Sequence, residues 1–207
     1  MASMKNPFAR AAFTLSGHRL SDLPASGGRE LAFAGRSNAG KSSAINAITG
    51  INGLARTSRT PGRTQQLVVF TLDDTHRVVD LPGYGYAKVP MAMREHWGVE
   101  LGRYFAERDS LVGLVLVMDA RHPLKDNDWV LLEACAERGL PAMVLLTKAD
   151  KLSRSDQNLV LRQVRAKLAE GGALVAARLF SSTKPIEMDG LRRELSDWLF
   201  RTTPPTP

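Results

Sequence analysis

Cysteine is almost missing from this 207-residue chain, with Cys135 its single example. An internal disulfide framework is therefore excluded, and with it the small stapled secreted domain. Cys135 stands among apolar residues in a predicted helix and reads as a core residue, not a nucleophile. Histidine is scarce too: His18, His76, His96 and His122 are scattered, and no Cys/His cluster has metal-ligand spacing. Long hydrophobic runs are absent. The longest, such as 111–118, stop far short of the ~20 residues that cross a bilayer. The N-terminus lacks the continuous apolar stretch of a signal peptide. The expectation is a cytoplasmic protein with no membrane partner.

What is present is ordinary in amount and uneven in placement. A content of 43 % hydrophobic and 24 % charged residues is that of a globular protein. The length suits one α/β domain and is short for two. The net charge is +7, and residues 1–66 hold nine Lys/Arg against two Asp/Glu, while residues 67–207 hold nineteen of each. The whole surplus therefore sits in the first third. Arg56, Arg59 and Arg63 share one stretch without a single acid. Such a surplus serves either a solvated surface with a phosphate site or a footprint for RNA.

Residues 1–28 show no sustained periodicity and end in the breaker-rich SDLPASGG, which predicts an arm leading into the domain. ELAFAG (30–35) reads as a strand, a Gly-rich turn follows, and KSSAINAIT (41–49) has helical spacing. Residues 51–66 are polar, basic and turn-rich, a loop expected to move. QLVVFTL and HRVVDLPG, separated by Asp73, Asp74 and Thr75, predict a hairpin. Residues 92–107 place Met93, Trp97, Leu101, Tyr104 and Phe105 on one helical face, aromatics better suited to a core than to stacking on bases. LVGLVLVMD and PAMVLLTKAD are continuous apolar strands, the pattern of a sheet covered on both faces. Helices are predicted over 126–138, 156–170 and 187–200, with ALVAARLFSS the last strand. The TTPPTP tail, 202–207, is disordered by composition. Alternating strands and helices predict an α/β doubly wound, mostly parallel sheet, whose ligands bind beyond the strands' carboxyl ends.

Chemistry collects at those ends. Gly35, Arg36, Ser37, Asn38, Ala39, Gly40, Lys41 and Ser42 fit G-x-x-x-x-G-K-S between a strand and a helix. Glycines let backbone amides turn toward phosphates, and the helix N-terminus adds a favourable dipole. Lys41 can reach the β- and γ-phosphates of a nucleotide, and the Ser42 hydroxyl can coordinate Mg²⁺. Asp80, Leu81, Pro82 and Gly83 form D-x-x-G at the end of a strand: Asp80 would hold a water of the Mg²⁺ shell, and the Gly83 amide would sense the γ-phosphate. Thr147, Lys148, Ala149 and Asp150 close another strand and select the base. The Asp150 carboxylate can accept two hydrogen bonds from the N1–H and exocyclic amine of guanine, donors that adenine lacks on that edge. Bonds to a charged group contribute about 1.5–3 kcal/mol each, enough to favour GTP over ATP. The Lys148 stem can lie across the base. Phe180, Ser181 and Ser182 would complete the pocket through backbone amides. A second protein ligand to Mg²⁺ is expected from the mobile loop. Thr57, Thr60 and Thr64 are available there; Thr64, which precedes the strand leading to Asp80, is the choice from position, and Thr60 the reserve. Gly62 frees the chain to fold over the nucleotide, carrying Arg63, Gln65 and Gln66 to the site.

With five elements in order, GRSNAGKSS, ARTSRTPGRTQ, DLPGYGYAKV, MDARHPLKDND and LLTKADKL resemble the EngB (YihA/YsxC) family of Era-like bacterial GTPases over residues 10–200. The resemblance implies a P-loop NTPase of the Ras-like three-layer kind. Its expected sheet is mostly parallel and six-stranded, with one antiparallel edge strand. It implies a G domain over 29–201, with Ser42 and Thr64 as Mg²⁺ ligands. It also implies a role in late assembly of the large ribosomal subunit, through rRNA and ribosomal proteins, with a link to cell division and septation.

Lys41, Thr64, Gly83 and Asn38 are the residues expected to carry hydrolysis of GTP to GDP and phosphate. Where Ras-like proteins have a glutamine after D-x-x-G, this chain has Tyr84, which cannot orient water as a carboxamide does; slow turnover by a monomer is expected. Asn38 stands where related K⁺-using GTPases have an asparagine, so K⁺ is a candidate activator. Two other classes compete. A small-molecule kinase or ATPase is disfavoured by T-K-A-D, and a cell-division scaffold with a structural nucleotide is separated by association with large-subunit precursors.

Overall fold

The computed structural model describes residues 6–56, 66–85, 91–171 and 175–201. Seven strands form one sheet: β1 Ala12–Gly17, β2 Arg29–Gly35, β3 Leu67–Thr71, β4 His76–Asp80, β5 Leu111–Asp119, β6 Ala142–Thr147 and β7 Val175–Leu179. Their order is β1-β3-β4-β2-β5-β6-β7. From β4 through β7 every neighbour is parallel, while β3 runs antiparallel to both β4 and β1. Among the described residues five α-helices cover it: α1 Lys41–Thr49, α2 Met91–Glu107, α3 Asp126–Glu137, α4 Arg154–Glu170 and α5 Met188–Phe200.

Each central strand is apolar throughout because both faces are covered. Leu31, Phe33, Val115, Val117, Met143 and Leu145 meet Ile45 and Ile48 of α1 and Leu191, Leu195 and Leu199 of α5. The alternate residues Ala32, Ala34, Leu114, Leu116, Val144 and Leu146 meet Tyr104 and Phe105 of α2, Leu132 and Cys135 of α3 and Leu168 of α4. The result is three layers. Cys135 is buried as expected, and burial pushes its thiol up to about 12. Among the expected α2 core residues, the side chains of Met93 and Trp97 lie outside those described.

The six strands read from the sequence are all present, and the seventh, β1, corrects the count. It falls in the stretch read as an arm. There it pairs with β3 at the sheet edge, mostly exposed, so it carries no inward-facing apolar rhythm. The edge strand is therefore β1, one place beyond the expected hairpin. That hairpin turns as predicted: the Asp73 carboxylate accepts the Thr75 and His76 amides at 2.9 Å each.

Candidate functional site

Three turns meet at the carboxyl ends of the parallel strands. The first leaves β2 at Gly35 and enters α1 at Lys41. Asn38 and Gly40 take the left-handed backbone conformation (φ 64° and 99°), which turns the loop back into the N-terminus of α1. The Asn38 side chain is exposed and Ala39 is buried.

The second turn leaves β4. Asp80 is 3 % exposed, and its carboxylate is paired with Lys41 Nζ, itself 9 % exposed. Burial pushes the Asp80 carboxyl up, an effect the Lys41 ammonium partly offsets. Leu81 is fixed by its amide, which donates to the Phe33 carbonyl at 2.9 Å. Gly83 packs against Ser37, and the Ser37 amide donates to the Tyr84 carbonyl at 3.0 Å.

The third turn follows β6. The Thr147 hydroxyl donates to the Ala39 carbonyl and lies 2.9 Å from the Met118 carbonyl. Lys148, with φ 58°, reaches back so that Nζ donates to the Asn38 carbonyl at 2.8 Å and pairs with Asp119 at 3.0 Å. Asp119 also holds Arg121, whose hydrogen bonds keep the Asp119 carboxyl well below the usual range. The Ser181 hydroxyl donates to Asp150 Oδ1 at 2.7 Å, which holds the Asp150 carboxyl below its ordinary value. Ala149 joins this turn to β7, its amide donating to the Phe180 carbonyl at 3.2 Å.

The structure thus brings together Gly35 through Ser42, Asp80 through Gly83, Thr147 through Asp150, and Phe180 and Ser181. Ser182 follows, exposed. Ser181 acts through its hydroxyl, a contact the sequence reading had not foreseen. Gln66 lies just before β3 with its amide 3.0 Å from the His18 ring. Thr57, Arg59, Thr60, Gly62, Arg63, Thr64 and Gln65 lie outside the described residues. Asp119 and Asp128 were missed: neither belongs to a nucleotide motif, though both stand in the MDARHPLKDND segment quoted for the resemblance. The Tyr84 hydroxyl donates to Asp128 Oδ1 at 2.6 Å.

Among the described residues no cluster of three or more His, Cys, Asp or Glu side chains could hold a metal. Mg²⁺ asks for oxygen donors, few of them from protein, and keeps several waters. The residues present fit that demand. Ser42 is half-buried in the first turn of α1, and the Asp80 carboxylate faces the same end of the helix through its pairing with Lys41.

A doubly wound sheet with these three turns at one end is the architecture of a P-loop GTPase. A family model described as a 50S ribosome-binding GTPase matches residues 30–148. The chain is 53 % identical over 191 residues to a probable GTP-binding protein EngB of Stenotrophomonas maltophilia (strain K279a), covering 92 % of this chain and 96 % of that one. It is 52 % identical over 191 residues to the corresponding protein of Xanthomonas campestris pv. campestris (strain 8004), covering 92 % of each. The chain belongs to the EngB family of GTP-binding proteins, and its activity is that of a GTPase. The fold agrees. A crystal structure of a probable GTP-binding protein engB overlays with a TM-score of 0.65 at 21 % identity, over 82 % of this chain and 98 % of that one. Aquifex aeolicus Era bound to GDP and aluminium fluoride gives a TM-score of 0.63 at 20 % identity, over 87 % and 60 %.

Proposed function

We propose that this GTPase is a switch in late assembly of the large ribosomal subunit, acting in the cytoplasm and supporting normal cell division and septation. The observation that carries the reading is the match of residues 30–148 to a family described as 50S ribosome-binding GTPases. The charge supports it: the +7 surplus belongs to residues 1–66, the part that contains the phosphate loop and the basic segment after it. A structural neighbour, Era, has been crystallised with a magnesium-bound GTP analogue and a stretch of 16S ribosomal RNA.

In this reading Lys41 and the amides of 36–42 take the β- and γ-phosphates, and Asp150 with Lys148 takes guanine. Ser42 and Thr64 would hold Mg²⁺, with Asp80 on its water shell; when bound, the ion supplies charge neutralisation between the β- and γ-phosphates. Water adds to the γ-phosphorus as the bridging P–O bond breaks, releasing GDP and phosphate. Tyr84, directly after D-x-x-G, does not orient that water because its hydroxyl is held at Asp128, so intrinsic turnover is slow. Asn38, exposed at the loop, is the residue that would hold K⁺; equal turnover in KCl and NaCl would remove that ion from the mechanism.

In this switch GTP and GDP would differ in how well Arg56, Arg59 and Arg63 engage RNA; of the three only Arg56 is among the described residues. Co-sedimentation with large-subunit precursors tests this. Binding should be stronger with a non-hydrolysable GTP analogue than with GDP, and replacing the three arginines by alanine should weaken it and flatten its salt dependence. Binding that ignores both nucleotide and arginines would leave the nucleotide structural and the scaffold reading in its place.

A further inference from the structure

Two donors of the phosphate loop are held by residues 80–84. Lys41 Nζ is paired with Asp80, and the Ser37 amide donates to the Tyr84 carbonyl at 3.0 Å. Arg36 and Tyr84 form a parallel β-bridge, so residues 80–84 run against the loop as a short strand would. The approach is tight: a Cβ at Gly83 would stand 3.0 Å from Ser37 Oγ and 3.3 Å from Ser37 N.

One side chain tethers this segment from outside. Tyr84 Oη donates to Asp128 Oδ1 at 2.6 Å, while Asp128 Oδ2 accepts the Lys125 amide at 2.7 Å. Asp128 is 1 % exposed in the first turn of α3, where the helix N-terminus favours its charge. Burial, reinforced by that neighbouring carboxylate, pushes the Tyr84 phenol far up, so it stays a donor at working pH.

We infer that Tyr84 and Asp128 form a latch holding residues 80–84 across the phosphate loop, and that Asp128 is thereby a positioning residue that biases the protein toward GDP over GTP. The inference rests on the assignment of Lys41 to the β- and γ-phosphates and of the Gly83 amide to the γ-phosphate. GDP ends at its β-phosphate and leaves the latch closed. GTP, unlike GDP, must also draw in the Gly83 amide. The backbone of Tyr84 moves with Gly83, while its ring is tied to a helix 44 residues further along the chain. Part of the binding free energy of GTP is therefore spent opening the latch, whereas GDP binds without that cost.

Tyr84→Phe removes only the hydroxyl. Titration of the full chain with GDP and with a non-hydrolysable GTP analogue should show the analogue binding about tenfold more tightly than to wild type, the lower end for a hydrogen bond to a charged group. GDP affinity should stay within about twofold. Asp128→Ala should give the same shift, and the double variant no more than either single. A purely structural role would instead lower the melting temperature and both affinities together. Lys41→Ala serves as the control for the site. If it keeps both affinities, the phosphate assignment falls and the latch with it; if it loses them while Tyr84→Phe leaves the GTP-to-GDP ratio unmoved, the latch alone falls.

Discussion

Lys41 and Asp80, at the start of α1 and the end of β4, are paired with each other inside the protein. Each is a residue that the nucleotide and its metal would claim, and each keeps the other from being a lone buried charge. Lys41→Ala removes the ammonium and leaves the Asp80 carboxylate buried alone, a change that costs about 3–5 kcal/mol. Asp80 then has its pKa raised by burial without the offset of a cation. A carboxyl with a raised folded-state pKa is compatible with folding when protonated and costs stability as pH rises through the range between its unfolded and folded values. Thermal melts should show a large deficit against wild type at pH 8, shrinking toward pH 4. Nucleotide affinity should fall roughly ten- to hundredfold, the loss of one or more bonds to charged oxygens. A deficit that grows on acidification would contradict the pairing.

Ser181 holds the Asp150 carboxylate, proposed to select the base, without belonging to the T-K-A-D motif. Ser181→Ala deletes the 2.7 Å bond to Asp150 Oδ1 and leaves the carboxylate in place. Affinity for GDP should weaken by about tenfold, the measure of a hydrogen bond to a charged group, while preference for guanine over adenine persists. Isothermal titration with GDP and ATP reads both. Unchanged GDP affinity would show that Asp150 needs no such support.

At the other end of β2, Glu30 is fully buried and holds Arg108 through both oxygens, with Arg77 at 3.1 Å and the Tyr104 hydroxyl at 3.4 Å. Glu30→Ala strands Arg108, itself 3 % exposed, and should cost about 3–5 kcal/mol. At about 2–4 °C per kcal/mol the melting temperature should fall by roughly 10 °C. Because Gly35, not Glu30, lies at the nucleotide end of β2, GDP affinity of the folded protein should stay within about twofold. A melting temperature equal to wild type would overturn the reading of this network as a structural anchor.

The hairpin turn carries a pH signature. Burial would raise Asp73, but the Thr75 and His76 amides, the Thr75 hydroxyl and the His76 ring hold it down at about 2. The unfolded value is near 3.9, so the stabilisation is present above pH ~4 and is lost as pH falls through ~2. The side chain is half-exposed, and screening leaves about 1 kcal/mol. Asp73→Ala should cost that much at pH 7 in chemical denaturation, and little once pH falls below ~2. An equal penalty at both would assign the effect to packing.

Much of this was legible in the sequence because the chemistry repeats at fixed spacing. Gly40, Lys41 and Ser42 need only a strand before them and a helix after, and Asp80 and Asp150 announce themselves by ending apolar strands. The continuous runs 111–119 and 142–147 foretold a sheet covered on both faces. The edge strand β1 escaped because Phe13 and its neighbours face solvent, so no apolar rhythm marks them. Contacts between distant turns escaped for another reason. Tyr84 to Asp128, Lys148 to Asn38 and Ser181 to Asp150 join residues 31 to 110 positions apart, and only the sheet order decides that they meet.

The central claim is that Asp150 at the end of β6 reads guanine. Its most direct test is nucleotide titration of wild type and Asp150→Asn with GDP, ATP and XTP as competitors. Wild type should prefer GDP, with ATP failing to compete. The variant, offering an amide donor where the carboxylate accepted, should lose GDP and gain XTP, whose 2-position carries a carbonyl in place of the amine. If ATP competes equally with GDP in wild type, or if the variant keeps its preference for GDP, Asp150 does not select the base.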